Sequence, residues 1–247
     1  MPAHNDDTAS LELLLQGEME IRGEFLWGSN YTFLSQIIQA EQTIQAVYKP
    51  TRGERPLWDF PPASLARREV AAYLVSEALG WRLVPPTVYR KQAPIGPGSV
   101  QLYIEHDPEY HYFTFNEEYR QRLRSVAVFD LLINNADRKG SHVLVDPDGH
   151  LWLIDHGVCF HVEDKLRTVI WDFTGEPLPD DLCSGLAEFH TRLVDTPEGE
   201  SALAQSLKPY LSKGEIKALR TRAELLVNQA VFPPPDPYRR PYPWPQL

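Results

Sequence analysis

FDLLINNADRKGSHVLVDPDGHLWLIDHG, residues 129–157, combines a helix end, a polar loop and two short strand-like runs in one continuous segment. Asp146-Pro147-Asp148-Gly149 separates the two runs and is a strong turn signal, because Pro and Gly stand at positions that turns favour. The pattern predicts a β-hairpin over residues 142–154. An acid lies on either side of this hairpin, Asp137 before it and Asp155 after it.

Two carboxylates in this arrangement suit phosphoryl transfer, in which one orients the attacking hydroxyl and the other holds the metal on the nucleotide phosphates. The catalytic loop of protein kinases has Asp, four residues and Asn, followed by a hairpin that ends in Asp-Phe-Gly. Here four residues separate Asp137 from His142, and the hairpin ends in Asp155-His156-Gly157. The spacing agrees with that of protein kinases, but His142 and His156 stand where kinases have Asn and Phe. An ordinary solvated loop and strand end would also fit, so the hypothesis needs partners elsewhere in the chain.

The first partner is a lysine at the end of a predicted strand. Residues 43–50, TIQAVYKP, alternate like a half-buried strand, and Pro50 ends it. Lys49 is therefore delivered at a strand end, as is the lysine of the kinase Val-Ala-Ile-Lys motif. Taken alone, Lys49 is equally an ordinary surface charge.

The second partner is a glutamate on a predicted helix. Ser64 is a suitable N-cap for a helix that begins at Leu65, and Gly80 is a suitable residue to end it. Glu69 falls on the inward stripe of this helix, where a glutamate needs a partner. We expect it to pair with Lys49 and hold the ammonium against nucleotide phosphates. Each of these residues alone could be an ordinary surface charge. The order Lys, Glu, Asp, Asp on strand, helix, loop and hairpin is much less common by accident.

A phosphate-covering loop is expected before Lys49. Residues 19–27 and 31–34 are strand-like, and the turn Gly28-Ser29-Asn30 joins them. Its backbone N–H groups and the Ser29 hydroxyl suit a phosphate cradle. A single turn of this kind is usually only a hairpin, and the chain has neither the Gly-x-Gly-x-x-Gly loop of protein kinases nor a Walker A sequence.

Several short segments, in the correct order over roughly residues 18–160, resemble the phosphatidylinositol 3/4-kinase superfamily, with the type II phosphatidylinositol 4-kinases as the nearest branch. The segments are Gly28-Ser29, Tyr31-Thr32-Phe33, Ala46-Val47-Tyr48-Lys49-Pro50, Asn135-Ala136-Asp137-Arg138 and Ile154-Asp155-His156-Gly157. The run from Asp130 to Arg138 also resembles the atypical secretory-pathway protein kinases and the HipA toxin kinases. Pro56-Leu57-Trp58-Asp59-Phe60, after the lysine, suggests an uncharacterised bacterial branch.

The resemblance implies ATP and Mg²⁺ or Mn²⁺ as cofactors and assigns a role to each candidate residue. Gly28, Ser29, Asn30, Lys49 and Glu69 would bind nucleotide, Asp137 and Arg138 would be catalytic, and His142 and Asp155 would hold metal. His142 departs from the asparagine that the family usually has, which leaves the number of metal ions and the activity open. The chain also lacks the cysteine-rich segment of the type II lipid kinases, which argues against an inositol lipid as acceptor.

The composition agrees with an enzyme of the cytoplasm. The chain has 247 residues, enough for two lobes, and no apolar run of the length that spans a bilayer. Its N-terminus lacks the features of a signal peptide, and two cysteines far apart fit a reducing compartment. A net charge of −10 argues against nonspecific nucleic-acid binding and against binding to a strongly anionic membrane surface. We also expect no stable membrane anchor.

We therefore expect an α+β, two-lobed atypical protein-kinase-like fold. An N-lobe, residues 1–106, would contain an antiparallel sheet and one helix. A mainly helical C-lobe, residues 107–231, would carry the catalytic hairpin, and a proline-rich tail, residues 232–247, would pack back on the body. The predicted helices of the C-lobe are 117–133, with Asn116 as N-cap, then about 179–195, 198–210 and 213–230, the last with Ser212 and Glu215 as a capping box. The strand at 99–105 would lead into the hinge.

The expected function is ATP- and metal-dependent transfer of the γ-phosphate to a hydroxyl. A protein Ser/Thr or a small molecule fits the acidic chain better than an inositol lipid does. Two alternatives stay open, a nucleotide-binding pseudokinase that acts as a regulatory or scaffold partner, and a protein nucleotidyltransferase on the same fold.

Overall fold

The computed structural model describes residues 4–25, 30–194 and 199–247, which form a smaller β-rich lobe and a larger helical lobe. The strands are β1 (Glu18–Glu24), β2 (Phe33–Gln39), β3 (Gln42–Pro50), β4 (Thr87–Arg90), β5 (Gly98–Leu102), β6 (Val143–Val145) and β7 (Leu151–Leu153). The helices are α1 (His4–Gln16), α2 (Leu65–Leu79), α3 (Glu117–Ile133), α4 (Asp180–Leu193), α5 (Ala202–Leu207) and α6 (Lys213–Gln229).

The sheet of the small lobe is antiparallel, with the strand order β1-β2-β3-β5-β4. The strand predicted at 43–50 is β3, and it lies in the middle between β2 and β5. Lys49 stands opposite Ser99, one residue before Pro50 ends the strand. The pairing of β3 with β2 ends at Tyr48, so β5 alone pairs with Lys49 and positions it at the strand end. The predicted turn residues Gly28 and Ser29 lie outside the described residues.

Helix α1 is an element that the sequence analysis missed. Its Leu13 and Leu14 are buried and belong to the apolar cluster of the small lobe, together with Ile37 and Val100. The helix has a weak apolar stripe, so its stability comes from this packing rather than from its own sequence. The predicted sheet and its other helix are confirmed, and α1 adds a second helix beside them.

Helix α2 packs against both lobes. Residues 71–73, 75 and 79 belong to the large apolar cluster that also contains α3, and residues at the start of α2 face the cleft. Gly80 ends the helix with φ of 69°, as predicted. The predicted cap is wrong in its chemistry, because the Ser64 hydroxyl donates to the Pro61 carbonyl at 2.6 Å. The Glu54 carboxylate instead accepts the Ala66 N–H at 2.9 Å.

The predicted hairpin of the large lobe is β6 and β7, in which Val143 pairs with Leu153. Helix α3 begins at the predicted cap, where the Asn116 side chain accepts the Tyr119 N–H. Helix α6 begins with the predicted capping box of Ser212 and Glu215. The helices predicted near 179–195 and 198–210 correspond to α4 and to the shorter α5.

The proline-rich tail packs back on the large lobe, as expected. The Gly140 N–H donates to the Gln246 carbonyl at 2.8 Å, and the Thr168 N–H donates to the Pro241 carbonyl at 3.0 Å. The tail therefore supports the loop between α3 and the hairpin. The exact lobe limits at residues 106 and 231 stay predictions. Within the described residues, none of the helices has the length and apolar character needed to cross a membrane.

Candidate active site between the lobes

A cleft of about 490 Å³ separates the two lobes, a volume typical of small-molecule sites. Its upper wall contains Val47 and Lys49 of β3, and its lower wall contains Leu144 and Asp155. Residues 101–104 at the end of β5 line one side, so the predicted hinge segment does border the cleft.

Three of the predicted residues meet in this cleft. The Lys49 ammonium lies 2.5 Å from Glu69 Oε1 and 3.0 Å from Asp155 Oδ1. The Glu69 side chain is only 4% exposed, whereas that of Asp155 is 47% exposed and opens to the cleft. Glu69 is therefore the inner anchor of the lysine, and Asp155 is the carboxylate that a ligand can reach.

The electrostatics keep Lys49 and Asp155 charged. Burial disfavours the Lys49 ammonium, but the Asp155 and Glu69 carboxylates outweigh it and raise the pKa of Lys49. The same lysine holds the pKa of Asp155 well below its usual range. A positive charge thus stands between two carboxylates, of which Asp155 is the more exposed.

The backbone around Asp155 is held in an uncommon conformation. Its φ is 62°, in the left-handed region that a residue with a β-carbon seldom adopts. The next N–H, of His156, donates to Glu69 Oε2 at 2.9 Å. Glu69 therefore binds the lysine with one oxygen and the end of the hairpin with the other. Such strain is often found at functional sites.

His142 lies beside Asp155, with Nε2 at 3.4 Å from Asp155 Oδ2. Burial lowers the pKa of His142 to about 4, so the ring is neutral at pH 7 and retains a lone pair. The described residues contain no group of three or more His, Cys, Asp or Glu arranged to hold a metal. One carboxylate oxygen and one imidazole nitrogen fit a divalent ion that takes its other ligands from phosphates and water.

Asp137 lines a second cavity of about 310 Å³, which meets the cleft at Asn30 and Leu65. Its N–H donates to Asn135 Oδ1 at 3.0 Å, and its carboxylate lies 3.5 Å from the Lys139 ammonium. Burial raises the pKa of Asp137 to about 6, although Lys139 opposes the shift. The carboxylate is therefore a stronger base than an ordinary aspartate, and it is still mostly ionised at pH 7.

Arg138 does not face the cleft, contrary to the catalytic position expected for it. Its side chain is 0% exposed and forms an ion pair with Asp130, Nη2 to Oδ1, at 3.0 Å. Its remaining N–H groups donate to the Ile154 carbonyl at 2.9 Å and to His156 Nε2 at 2.8 Å. A guanidinium with all these partners positions the loop and the hairpin and has no free N–H for a substrate.

Of the turn predicted to cover phosphate, Gly28 and Ser29 lie outside the described residues. Asn30 borders both cavities, and its Oδ1 accepts the Arg55 N–H at 2.7 Å. Sequence reasoning missed the part of Glu54, which caps α2 and lines the cleft. Sequence reasoning named Asp130 but gave it no role. An acid in the apolar last turn of a helix indicates a buried charge that needs a partner.

Comparisons with known proteins identify the family of this chain. The family described as phosphatidylinositol 3- and 4-kinase matches residues 28–202, which contain all the candidate site residues. The chain belongs to this family. Protein Rv2133c of Mycobacterium tuberculosis (strain ATCC 25618 / H37Rv) is 40% identical over 94% of each chain. Phosphatidylinositol 4-kinase gamma 4 of Oryza sativa subsp. japonica is 31% identical, over 43% of this chain and 22% of the rice protein.

Solved structures show the same two-lobed atypical kinase fold. The Golgi casein kinase with Mn/ADP bound has a TM-score of 0.59 at 15% identity, covering 93% of this chain and 76% of that one. The Helicobacter pylori proinflammatory kinase CtkA has a TM-score of 0.52 at 10% identity, covering 89% and 94%. At these identities the likeness establishes the fold, and the family assignment supports a phosphotransferase.

The raised pKa of Asp137 predicts a pH effect on stability. The folded carboxyl titrates at about 6, against about 3.9 in an unfolded chain, so folding favours the protonated form. The contribution of this group to stability is therefore present at low pH and is lost as pH rises from about 4 to about 6. Without nucleotide or divalent ions, Asp137→Asn should melt at or above the wild type at pH 7 and match it near pH 4.

Thermal melts between pH 4 and pH 7.5 measure this difference. Asp148→Asn is the control, because Asp148 is exposed on the hairpin turn. A lower melting temperature of Asp137→Asn at pH 7 would identify Asp137 as a structural loop residue.

Proposed function

We propose that the protein is an ATP- and metal-dependent phosphotransferase that moves the γ-phosphate to a hydroxyl group. The observation that carries this proposal is the convergence of Lys49, Glu69 and Asp155 in one cleft, with Asp137 in the adjoining cavity. The nucleotide site and the base for the acceptor would thus be neighbours. Direct transfer between two bound substrates requires this arrangement.

In the nucleotide site, Lys49 would release Asp155 and bind a phosphate, while Glu69 keeps the ammonium in place. Asp155 and His142 would hold the divalent ion, which supplies positive charge on the phosphates as they react. The base of the nucleotide would lie along residues 101–104 and His106, which line the cleft. The Mn/ADP complex of the Golgi casein kinase supports nucleotide and divalent ion as ligands of this fold.

In the acceptor site, Asp137 would accept a hydrogen bond from the attacking hydroxyl and take its proton as the new O–P bond forms. A pKa of about 6 leaves the carboxylate ionised at pH 7 and makes it a better base than an exposed aspartate. Arg138 would not touch the substrates. It would position the loop of Asp137 through its contacts with Asp130 and the Ile154 carbonyl. We place the reaction in the cytoplasm, with a protein hydroxyl or a small molecule as acceptor.

Nucleotide binding should stabilise the folded protein. With ATP and Mn²⁺ at about 100 times Kd, linkage predicts about 2.7 kcal/mol, or roughly 5–10 °C in melting temperature for a chain of this length. Lys49→Met should abolish most of this rise, because the phosphates lose their cation. The free variant should also melt lower than the wild type, since the buried Glu69 loses its partner.

The measured quantity is therefore the rise on adding ATP, compared within each variant. Lys91→Met is the matched control, because Lys91 is exposed and lies outside the cleft. An equal rise in Lys49→Met and the wild type would remove Lys49 from the nucleotide site.

Transfer itself is tested with Asp137→Asn. The variant should keep the ATP-dependent rise in melting temperature but lose at least about 100-fold in transfer rate, because the amide cannot take the hydroxyl proton. ATP labelled in the α- or the γ-phosphate separates the possible reactions by the label that the product carries. Transfer of the α-label would identify a nucleotidyltransferase, and binding without any transfer would identify a pseudokinase.

The metal preference should depend on His142. Magnesium prefers oxygen ligands, whereas Mn²⁺ accepts an imidazole more readily, so activity or ATP binding should be stronger with Mn²⁺. His142→Asn restores an oxygen ligand and should bring the ratio of ATP affinity in Mn²⁺ to that in Mg²⁺ closer to one. ATP titrations in the presence of each ion measure this ratio. An unchanged ratio would mean that His142 is not a ligand.

A further inference from the structure

The cavity beside Asp137 has an unusual charge for this chain. The whole protein carries a net charge of −10, yet this cavity of about 310 Å³ is lined by three cations, Arg55, Lys165 and Arg167. Its acids are Asp137 and Asp59. Lys165 already has a partner, since its ammonium lies 3.3 Å from Asp59. The two arginines are the remaining positive charges.

Both arginines are exposed, and among the described residues neither side chain has an ion-pair partner. Arg167 is near enough to Asp137 to lower its pKa, against the larger effect of burial. Arg55 is held by its backbone, where its N–H donates to Asn30. Two guanidinium groups in one cavity with a base are suited to bind a phosphate or carboxylate.

An aromatic wall completes the cavity. Trp58 is 91% exposed, although a large apolar ring is usually buried, and the Lys165 ammonium lies 5.0 Å from the centre of its ring. Phe60, which also lines the cavity, is buried. The exposed ring gives a flat apolar face beside the charged groups, and the ring of a small molecule can pack against such a face.

The size of the cavity favours a compact anion. Its volume of about 310 Å³ lies near the lower end of the range of small-molecule sites. A neighbouring hollow of about 320 Å³ shares Lys165 and Arg167 with it and is lined by Glu163 and Asp164 as well as by Arg239 and Arg240. Because the hollow carries both signs of charge, the anion subsite is assigned to the cavity at Asp137 alone.

We propose that the acceptor is a small alcohol that already carries a phosphate group, bound through that group by Arg55 and Arg167 with its hydroxyl at Asp137. The inference rests on the proposed phosphotransferase function. In the reaction, the acceptor oxygen forms a bond to the γ-phosphorus of ATP, and the bond from that phosphorus to the bridging oxygen breaks. ADP leaves with the bond electrons, and Asp137 takes the hydroxyl proton.

The anion subsite is tested by binding, independently of turnover. The cleft of the full chain is first filled with a non-hydrolysable ATP analogue and Mn²⁺, and inorganic phosphate is then titrated by calorimetry. Binding should be saturable, and the double variant Arg55→Gln/Arg167→Gln should weaken it by about ten-fold or more, because two charge-assisted contacts are lost. Arg52→Gln is the control, since Arg52 is exposed in the same segment but lies outside the cavity.

The acceptor is tested with labelled ATP and matched pairs: glycerol and glycerol 3-phosphate, glucose and glucose 6-phosphate, and an acidic serine peptide with its neutral counterpart. The phosphorylated sugar or glycerol should be preferred, and the double variant should raise its KM. Phosphate binding that is absent, or that the double variant leaves unchanged, overturns the inference. A preference for the acidic peptide also overturns it.

Failure of the proposed function looks different. If ATP with Mn²⁺ does not raise the melting temperature of the wild type, the nucleotide site itself is wrong, whatever the phosphate titration shows. If ATP binds and is transferred equally to charged and uncharged acceptors, the phosphotransferase stands and the anion subsite is wrong.

Discussion

The ion pair of Arg138 and Asp130 is the contact on which the geometry of the candidate active site depends. Both side chains are 0% exposed, and together they join the end of α3, the loop of Asp137 and the end of the hairpin. Thr168 and Asn135 also donate to Asp130, so the carboxylate is fully bonded. Removing one charge would leave the other buried without a partner, which typically costs about 3–5 kcal/mol. Buried contacts therefore anchor the loop of Asp137 to the core.

Two adjacent residues of α2 connect this rigid base to the small lobe. Glu69 binds Lys49 in the sheet and the His156 N–H at the hairpin end. Arg68 points the other way, where it pairs with Glu215 of α6, donates to the Cys159 carbonyl at 2.6 Å and stacks on Phe60. The position of α2 therefore sets the position of Lys49 relative to Asp155, and the buried charges define one arrangement of the lobes.

The two histidines that depart from the usual kinase residues have separate environments. His156 is fully buried, and burial together with the nearby Arg138 holds its pKa well below the usual range. It accepts from the guanidinium and so belongs to the rigid base. His142 is also neutral, but it faces the carboxylate that opens to the cleft. Of the two, His142 borders the cleft, whereas His156 belongs to the buried base.

Much of the fold followed from local signals in the sequence. The hairpin, the central strand with Lys49 and the helices α2, α3 and α6 were predicted because turn residues, caps and apolar periodicity act within a few residues. Helix α1 was missed because its stability comes from Leu13 and Leu14 against the sheet, which no local pattern records. The cap of α2 was wrong for a similar reason, since Glu54 reaches it from a separate loop.

For the site, the sequence by itself determined which residue types were present and in what order, and hence the expected pairing of Lys49 with Glu69. The tertiary structure alone decided direction and burial. Arg138 follows Asp137 directly in the chain, yet the buried carboxylate of Asp130 draws its side chain into the core while Asp137 stays at a cavity. The grouping of Arg55 with Arg167 was equally beyond sequence reasoning, because residues far apart in the chain become neighbours only when the lobes close on one another.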